Sequence, residues 1–269
     1  MELKRRLVGT RTGQLAQEMR KWLSLRRVAF SNPEKASAIA NSIIADRLVT
    51  RLCRPGATFL DIGGHIGAIS SAVQAFDPSV RILVVEAEPG KAQALRDRFP
   101  AFQVHDVAVS DTPGTAEFYV NPERSGYNSL AANDHGRLEV IRVAVRTLDD
   151  LFPGETVDVI KIDIEGAELG ALRGGAGLIR RSRPTMMFES AGTGSNSLGF
   201  SPDRLWTWLD ENGFLVFSPD RVAHDAPPLT LPAFLDAHEY PQRTINFFAV
   251  ATERRIEIRD RARQILGVG

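Results

Sequence analysis

Apolar positions along this chain change their period at about residue 57, and that change divides it. Before it, Leu15, Met19, Trp22, Leu23 and Leu25 fall at roughly helical spacing and predict a helix over Gln14–Val28. A second helix is expected to begin at Asn32-Pro33, with Asn as N-cap and Pro at the first helical position. It runs through Ile39, Ile43, Ile44 and Leu48 and stops at Pro55-Gly56. From Ala57 onward, short apolar runs alternate with amphipathic stretches, the signature of a parallel α/β sheet. Strands are expected at 58–62, 81–86, roughly 102–108, 157–162, 185–189 and 214–217, with a last one at 244–251. Helices are expected at 67–76, 89–98, 167 to about 181, and 202–212. The alternation breaks once, where 115–120 and 138–146 read as an extra β-hairpin around a polar loop, Asn121 to Gly136. The resulting division is a helical extension (1–55), a main domain (56–252) with a Pro-rich surface insertion (219–243), and a C-terminal tail (253–269).

The chemistry concentrates where strands end. The run Thr58-Phe-Leu-Asp-Ile-Gly-Gly-His-Ile-Gly67 is a buried strand that finishes in a carboxylate, Asp61, and a glycine turn. The next strand finishes in Glu86. In an open parallel sheet the carboxyl ends of neighbouring strands line one crevice, where nucleotide-like ligands bind. An ionised carboxylate there offers two acceptor oxygens to the hydroxyls of a ribose. Gly63 and Gly67 are expected to let a ligand approach the backbone closely. The spacing D-x-G-x-x-x-G is not the G-x-G-x-x-G of dinucleotide sites. An Asp leading the turn repels a pyrophosphate and suits a ligand carrying an ammonium and a sulfonium, such as S-adenosylmethionine.

Further along, Ile160-Lys161-Ile162-Asp163-Ile164-Glu165-Gly166-Ala167-Glu168 delivers three carboxylates and a lysine to the same edge. Such a group is costly unless it meets cations. Acids near a helix N-terminus also serve as caps, which accounts for one of the glutamates. Asp163 is the first candidate to orient or deprotonate an acceptor, and Lys161, deeper on the same face, is the second. Glu165, Glu168 and Glu189 are expected in the acceptor wall. Asp163, Glu165 and Glu189 form an alternative divalent-metal set, for an ion such as magnesium. Among the histidines only His65, inside the glycine turn, is expected in the site. Tyr127, Asn128 and Ser129 form a polar segment suited to sugar contact.

Composition narrows the partners. The 269 residues carry a formal net charge of +0, which gives no pull toward nucleic acid. No apolar run approaches the roughly 18 residues of a membrane span. The basic start (Lys4, Arg5, Arg6) lacks the apolar stretch of a secretory signal, and one cysteine, Cys53, fits a reducing compartment. A cytoplasmic location is therefore expected. The amphipathic helices before residue 55 offer a route to a homo-oligomer.

In order along the chain, Asp61–Gly67, Val85–Pro89, Ala108–Asp111 with Gly114, Thr147–Leu151, Lys161–Glu168 and Pro184–Glu189 resemble the FkbM-type S-adenosylmethionine-dependent methyltransferases. The most specific piece is Lys-x-Asp-x-Glu-Gly-x-Glu, and His65 stands where that family more often has Asn or another small polar residue. The resemblance implies a Rossmann-like class I fold with a mostly parallel seven-stranded sheet and helices on both faces. It also implies O-methylation of a small molecule or a sugar unit. Carried onto this chain, Asp61, Gly63, Gly64 and Gly67 would shape the methionine side of the cofactor pocket, with Asp163 near it. Glu86 would hold the ribose beside Ala87, and Asp106 and Val107 would lie at the adenine. Two other readings stand beside this one, a non-catalytic S-adenosylmethionine-binding scaffold and a nicotinamide-dependent oxidoreductase.

Overall fold

The computed structural model describes residues 8–121, 128–130, 138–190 and 200–268. The chain opens with helix α1 (Arg11–Ser31), whose N-cap Thr10 accepts from the Gly13 amide. Asn32 makes no side-chain cap, and a 3-10 turn, Pro33–Lys35, intervenes before α2 (Ala36–Arg51). Then follow β1 (Thr58–Ile62), α3 (Ala68–Phe76), β2 (Arg81–Val85), α4 (Pro89–Arg98) and β3 (Gln103–His105). The next strands are β4 (Ala108–Val109), β5 (Gly114–Val120) and β6 (Glu139–Arg146). After them come α5 (Leu148–Leu151), β7 (Val159–Ile162), α6 (Glu168–Gly174), α7 (Ala176–Ser182) and β8 (Thr185–Glu189). The chain closes with α8 (Pro202–Glu211), β9 (Phe214–Phe217), α9 (Leu231–Asp236), β10 (Asn246–Ala251) and α10 (Arg255–Leu266).

Seven strands form one sheet in the order β3-β2-β1-β7-β8-β10-β9. The pairs from β3 to β8 are parallel, and β10 runs antiparallel to both its neighbours. Alternate strand residues feed two cores. Phe59, Val84, Val159 and Phe248 pack with α2, α3 and α10 on one face, and Leu60, Ile160, Phe188 and Phe247 pack with α6 to α9 on the other. The expected sheet with helices on both faces is therefore present.

The third expected strand is divided. Its first half, β3, stays in the main sheet, while β4 leaves after Asp106-Val107 to pair with β6. With β5 this makes a second sheet of order β4-β6-β5, so the extra hairpin is one part of a three-stranded unit. The single helix expected from residue 167 to 181 is broken into α6 and α7 at Gly174-Gly175. A Cβ at Gly174 would come within 2.1 Å of the Ser110 carbonyl, so the chain after β4 packs directly on the helix backbone there.

Two peripheral segments are more deeply integrated than their sequence suggested. The Pro-rich stretch 219–243 is not confined to the surface: Val222, Ala223, Phe234 and Ala237 are buried in the two cores. His238 anchors it, with one ring nitrogen 2.8 Å from the Phe234 carbonyl and the other 2.8 Å from the Ser190 hydroxyl at the end of β8. The expected C-terminal tail folds onto the core through α10, which buries Ile258 and Ala262, one turn apart. Arg261 on that helix donates to the carbonyls of Arg51, Leu52 and Cys53, satisfying the C-terminal end of α2. Cys53 is buried as expected, and burial pushes its thiol up to about 12. On α1, Leu15, Met19, Trp22, Leu23 and Phe30 are exposed, and Lys21 pairs with Asp46 of α2. No helix among the described residues is long and apolar enough to cross a membrane.

Because Phe234 has no exposed surface, its replacement tests whether 219–243 belongs to the core. Phe234→Ala is expected to lower unfolding stability by about 3–5 kcal/mol, measured by chemical denaturation. A loss under about 1 kcal/mol would place the segment outside the core.

Candidate functional site

The turn after β1 is held by β2. Gly63 and Gly64 donate to the Val85 carbonyl, at 2.9 and 3.2 Å. Glu86, at the end of β2, accepts from the His65 amide at 2.7 Å through one oxygen and from the Glu88 amide at 3.0 Å through the other. Burial raises the Glu86 carboxyl, while Lys91 and these two amides pull it back. Among the described residues each oxygen accepts one hydrogen bond, and a carboxylate oxygen has room for a second. His65 itself takes a left-handed backbone (φ 49°), an uncommon conformation for a non-glycine residue.

The turn after β7 is pressed against this one. A Cβ at Gly63 (φ +83°) would lie 1.9 Å from the Asp163 carbonyl. The glycine is thus required by backbone meeting backbone, a reason beyond the expected close approach of a ligand. Gly67 and Gly64 likewise face Leu95 with Phe99 and Val84, on the protein side of the turn.

Beneath both turns lies a buried ammonium. Asp61 and Lys161 are register partners on adjacent strands. Lys161 Nζ is 3.2 Å from Asp61, 3.4 Å from Asp163 and 2.6 Å from the Gly63 carbonyl. Ser70 of α3 donates to the other Asp61 oxygen at 2.6 Å. Burial by itself would lower Lys161, but the two carboxylates hold its ammonium well above the ordinary lysine range. Lys161 is therefore a charged tether and not a proton acceptor. Asp61 shares its burial, and neither residue lines the pocket above.

The carboxylates separate into two roles. Glu168 bends back to accept from the Ile164 and Gly166 amides, both at 3.1 Å, and so braces its own loop. It is the glutamate that capping accounts for, and it does not line the pocket, contrary to its expected place in the acceptor wall. Asp163, Glu165 and Glu189 converge, with one oxygen from each lying within 4.8 Å of the others. Burial, then the neighbouring carboxylates, push Glu165 up to about 8 and Glu189 up to about 9. Glu189 is hydrogen-bonded to Asp163. Burial also lifts Glu168 to about 7, against the pull of the amides it accepts from.

Above these groups a pocket runs along the carboxyl ends of the strands. Gly63, His65, Glu86 and Ala87 line it from β1 and β2, Asp163 and Glu165 from the β7 turn, and Val107 to Val109 from β4 and the residue before it. Asp106 is not among the lining residues. It is exposed and pairs with Arg96 at 2.8 Å, because the chain turns between β3 and β4 and presents Val107 inward instead. Tyr127 lies outside the described residues. Ser129 bridges β5 through Tyr119 and donates to the Glu165 carbonyl at 3.3 Å, so it supports the acid loop. Asn128 does line the pocket, together with Phe118 and Leu130 of the second sheet. These last two were missed by sequence reasoning, as were Lys91 and Ile164. Lys91 had a signal: a lysine in the first turn of a helix opposes the dipole.

The chain matches the family described as Methyltransferase FkbM domain over residues 61–216. It is 25% identical over 157 residues to the 2-O-methyltransferase NoeI of Sinorhizobium fredii, a match covering 51% of this chain and 65% of that protein. Among solved structures, the methyltransferase FkbM from Methylobacillus flagellatus KT is similar with a TM-score of 0.47 and 16% identity. That match covers 87% of this chain and 60% of the other. In both comparisons this chain spans less than two thirds of the relative's length.

Removing the tether leaves Asp61 charged and buried. Lys161→Ala is expected to cost about 3–5 kcal/mol of unfolding free energy, and a variant as stable as wild type would remove the tether from the account. The acid cluster carries a pH signature. Its glutamates hold their protons more tightly when folded than the ordinary 4.5 of the unfolded chain. The folded form therefore binds more protons, and this contribution is complete below pH 4.5 and lost as pH rises through about 9. Glu189→Gln is expected to flatten the fall of Tm across that window; parallel curves for variant and wild type would sink the assignment.

Proposed function

This chain belongs to the FkbM methyltransferase family, and from that premise we propose that it transfers a methyl group from S-adenosylmethionine to a hydroxyl of a sugar, a glycan or a glycosylated small molecule. The observation that carries the proposal is the polarity of the pocket: the Glu86 carboxylate lines one part and Asp163 and Glu165 line the other, with Glu189 behind them, outside the lining but converging on both. The lining suits that cofactor. Glu86 has room to accept from the ribose hydroxyls, and the acid cluster favours a ligand bearing an ammonium and a sulfonium.

When bound, S-adenosylmethionine supplies a methyl carbon activated by positive sulfur. The chain's own residues then have to align an oxygen behind that carbon and remove its proton. Asp163, held by Lys161 and Glu189, is placed to orient the acceptor hydroxyl. Glu165, whose carboxyl is pushed up to about 8 by burial and by Asp163 and Glu168, lines the pocket beside Asp163 and takes the proton in its ionised form. His65, lining the pocket from the glycine turn, completes the methionine side. The choice of oxygen as the methylated atom is supported by the chemistry in the relative's name, 2-O-methyltransferase. A divalent cation such as magnesium on Asp163, Glu165 and Glu189 is the second reading of the same cluster; it would act by lowering the pKa of the acceptor hydroxyl.

Calorimetric titration with S-adenosylhomocysteine, with and without magnesium and with NAD in parallel, tests the proposal. Wild type is expected to bind S-adenosylhomocysteine and not NAD. Glu86→Ala is expected to weaken binding at least tenfold, and Asp163→Asn to lower turnover on the acceptor far more than affinity for S-adenosylhomocysteine, which carries no sulfonium. Equal affinity in wild type and Glu86→Ala, or binding of NAD alone, would overturn it.

A further inference from the structure

Asn128 is 9% exposed and lies in the pocket wall built by the second sheet. Its Oδ1 accepts from the Asn121 amide at 2.9 Å, which determines which end of the side chain is which. Among the described residues the Nδ2 group is left as a buried donor without an acceptor. Buried amide donors are nearly always partnered, so one without a partner inside a binding pocket points to the ligand as its acceptor. The rest of that wall is apolar: Phe118, Leu130, Ala87 and Ala108 belong to one cluster around the second sheet. An apolar wall carrying one amide donor matches an aromatic heterocycle with acceptor nitrogens in its plane.

The sheet order says which part of the ligand reaches it. With a ribose at Glu86, the acids of the β7 turn lie on one side, toward β1 and β7. The residues following β3 lie on the other. The sulfonium belongs with the acids, so the base belongs with Val107, Ala108 and the second sheet. We infer that Asn128 is the residue that reads the adenine of the cofactor, its Nδ2 donating to one of the ring nitrogens. The inference rests on the S-adenosylmethionine reading above. It moves Asn128 from the acceptor wall to the cofactor, and it gives the second sheet the task that sequence assigned to Asp106, which is exposed and committed to Arg96.

Asn128→Asp is the informative variant, since it keeps an oxygen for the Asn121 amide and replaces the donor by a second acceptor. It should bind S-adenosylhomocysteine at least tenfold more weakly than wild type, as loss of one buried hydrogen bond requires. A second measurement needs no substitution to fold: titration of wild type with the 1-deaza, 3-deaza and 7-deaza forms of S-adenosylhomocysteine. One of the three should bind about tenfold more weakly than the parent, and that penalty should vanish in Asn128→Asp. Unchanged affinity in the variant, or deaza penalties that persist in it undiminished, would overturn the inference while leaving the methyltransferase reading intact. Failure of wild type to bind S-adenosylhomocysteine at all would remove both.

Discussion

The site depends on one buried cation. Lys161 sits under the crevice with Asp61, Asp163 and the Gly63 carbonyl around its ammonium, and these groups come from the ends of two adjacent strands. Burying that charge is costly alone, and so is burying Asp61; together they offset one another and fix the spacing of the β1 and β7 turns. The contact between Gly63 and the Asp163 carbonyl then leaves no room for a side chain between the turns. Placement of the cofactor-side and acceptor-side groups follows from the same tether.

The acid cluster is a consequence of that arrangement. Asp163 is already committed to Lys161, so Glu165 and Glu189 crowd a carboxylate whose nearest cation is shared with Asp61. Their proton affinity rises because burial and mutual repulsion act in the same direction. In its ionised form such a cluster favours a positively charged ligand.

Most of the main sheet was legible because its signal is local. Buried strands of four to six residues, the glycine turn and the acid at each strand end all lie within a few residues of one another. The trio Asp163, Glu165 and Glu189 could also be named, since parallel strands bring their carboxyl ends to one edge. What failed was what depends on the partner surface. The break between β3 and β4 has no proline or glycine to announce it, and it turned Asp106 outward. The Pro-rich 219–243 segment looked like a surface loop because its prolines hide the spacing of Val222, Leu229 and Phe234, which reach the core singly. Lys161 stood as the second candidate after Asp163 because sequence shows the lysine and not the two carboxylates around its ammonium.

The second sheet gives the crevice a wall of its own. The main sheet supplies only the carboxyl ends of β1, β2 and β7, which leave the side beyond Val107 open. β4 peels away from β3 at that point and carries the chain into β5 and β6, so Phe118, Asn128 and Leu130 arrive from an element that shares no backbone ladder with the main sheet. It is fastened at the acid loop by Ser129, whose hydroxyl holds the Glu165 carbonyl. Glu165 keeps a left-handed backbone there (φ 55°), a conformation that costs about 1–3 kcal/mol for a non-glycine residue unless its surroundings impose it. The Ser129 contact is one of the restraints that impose it. The pocket wall and the acid loop are therefore joined through two adjacent residues, Asn128 and Ser129.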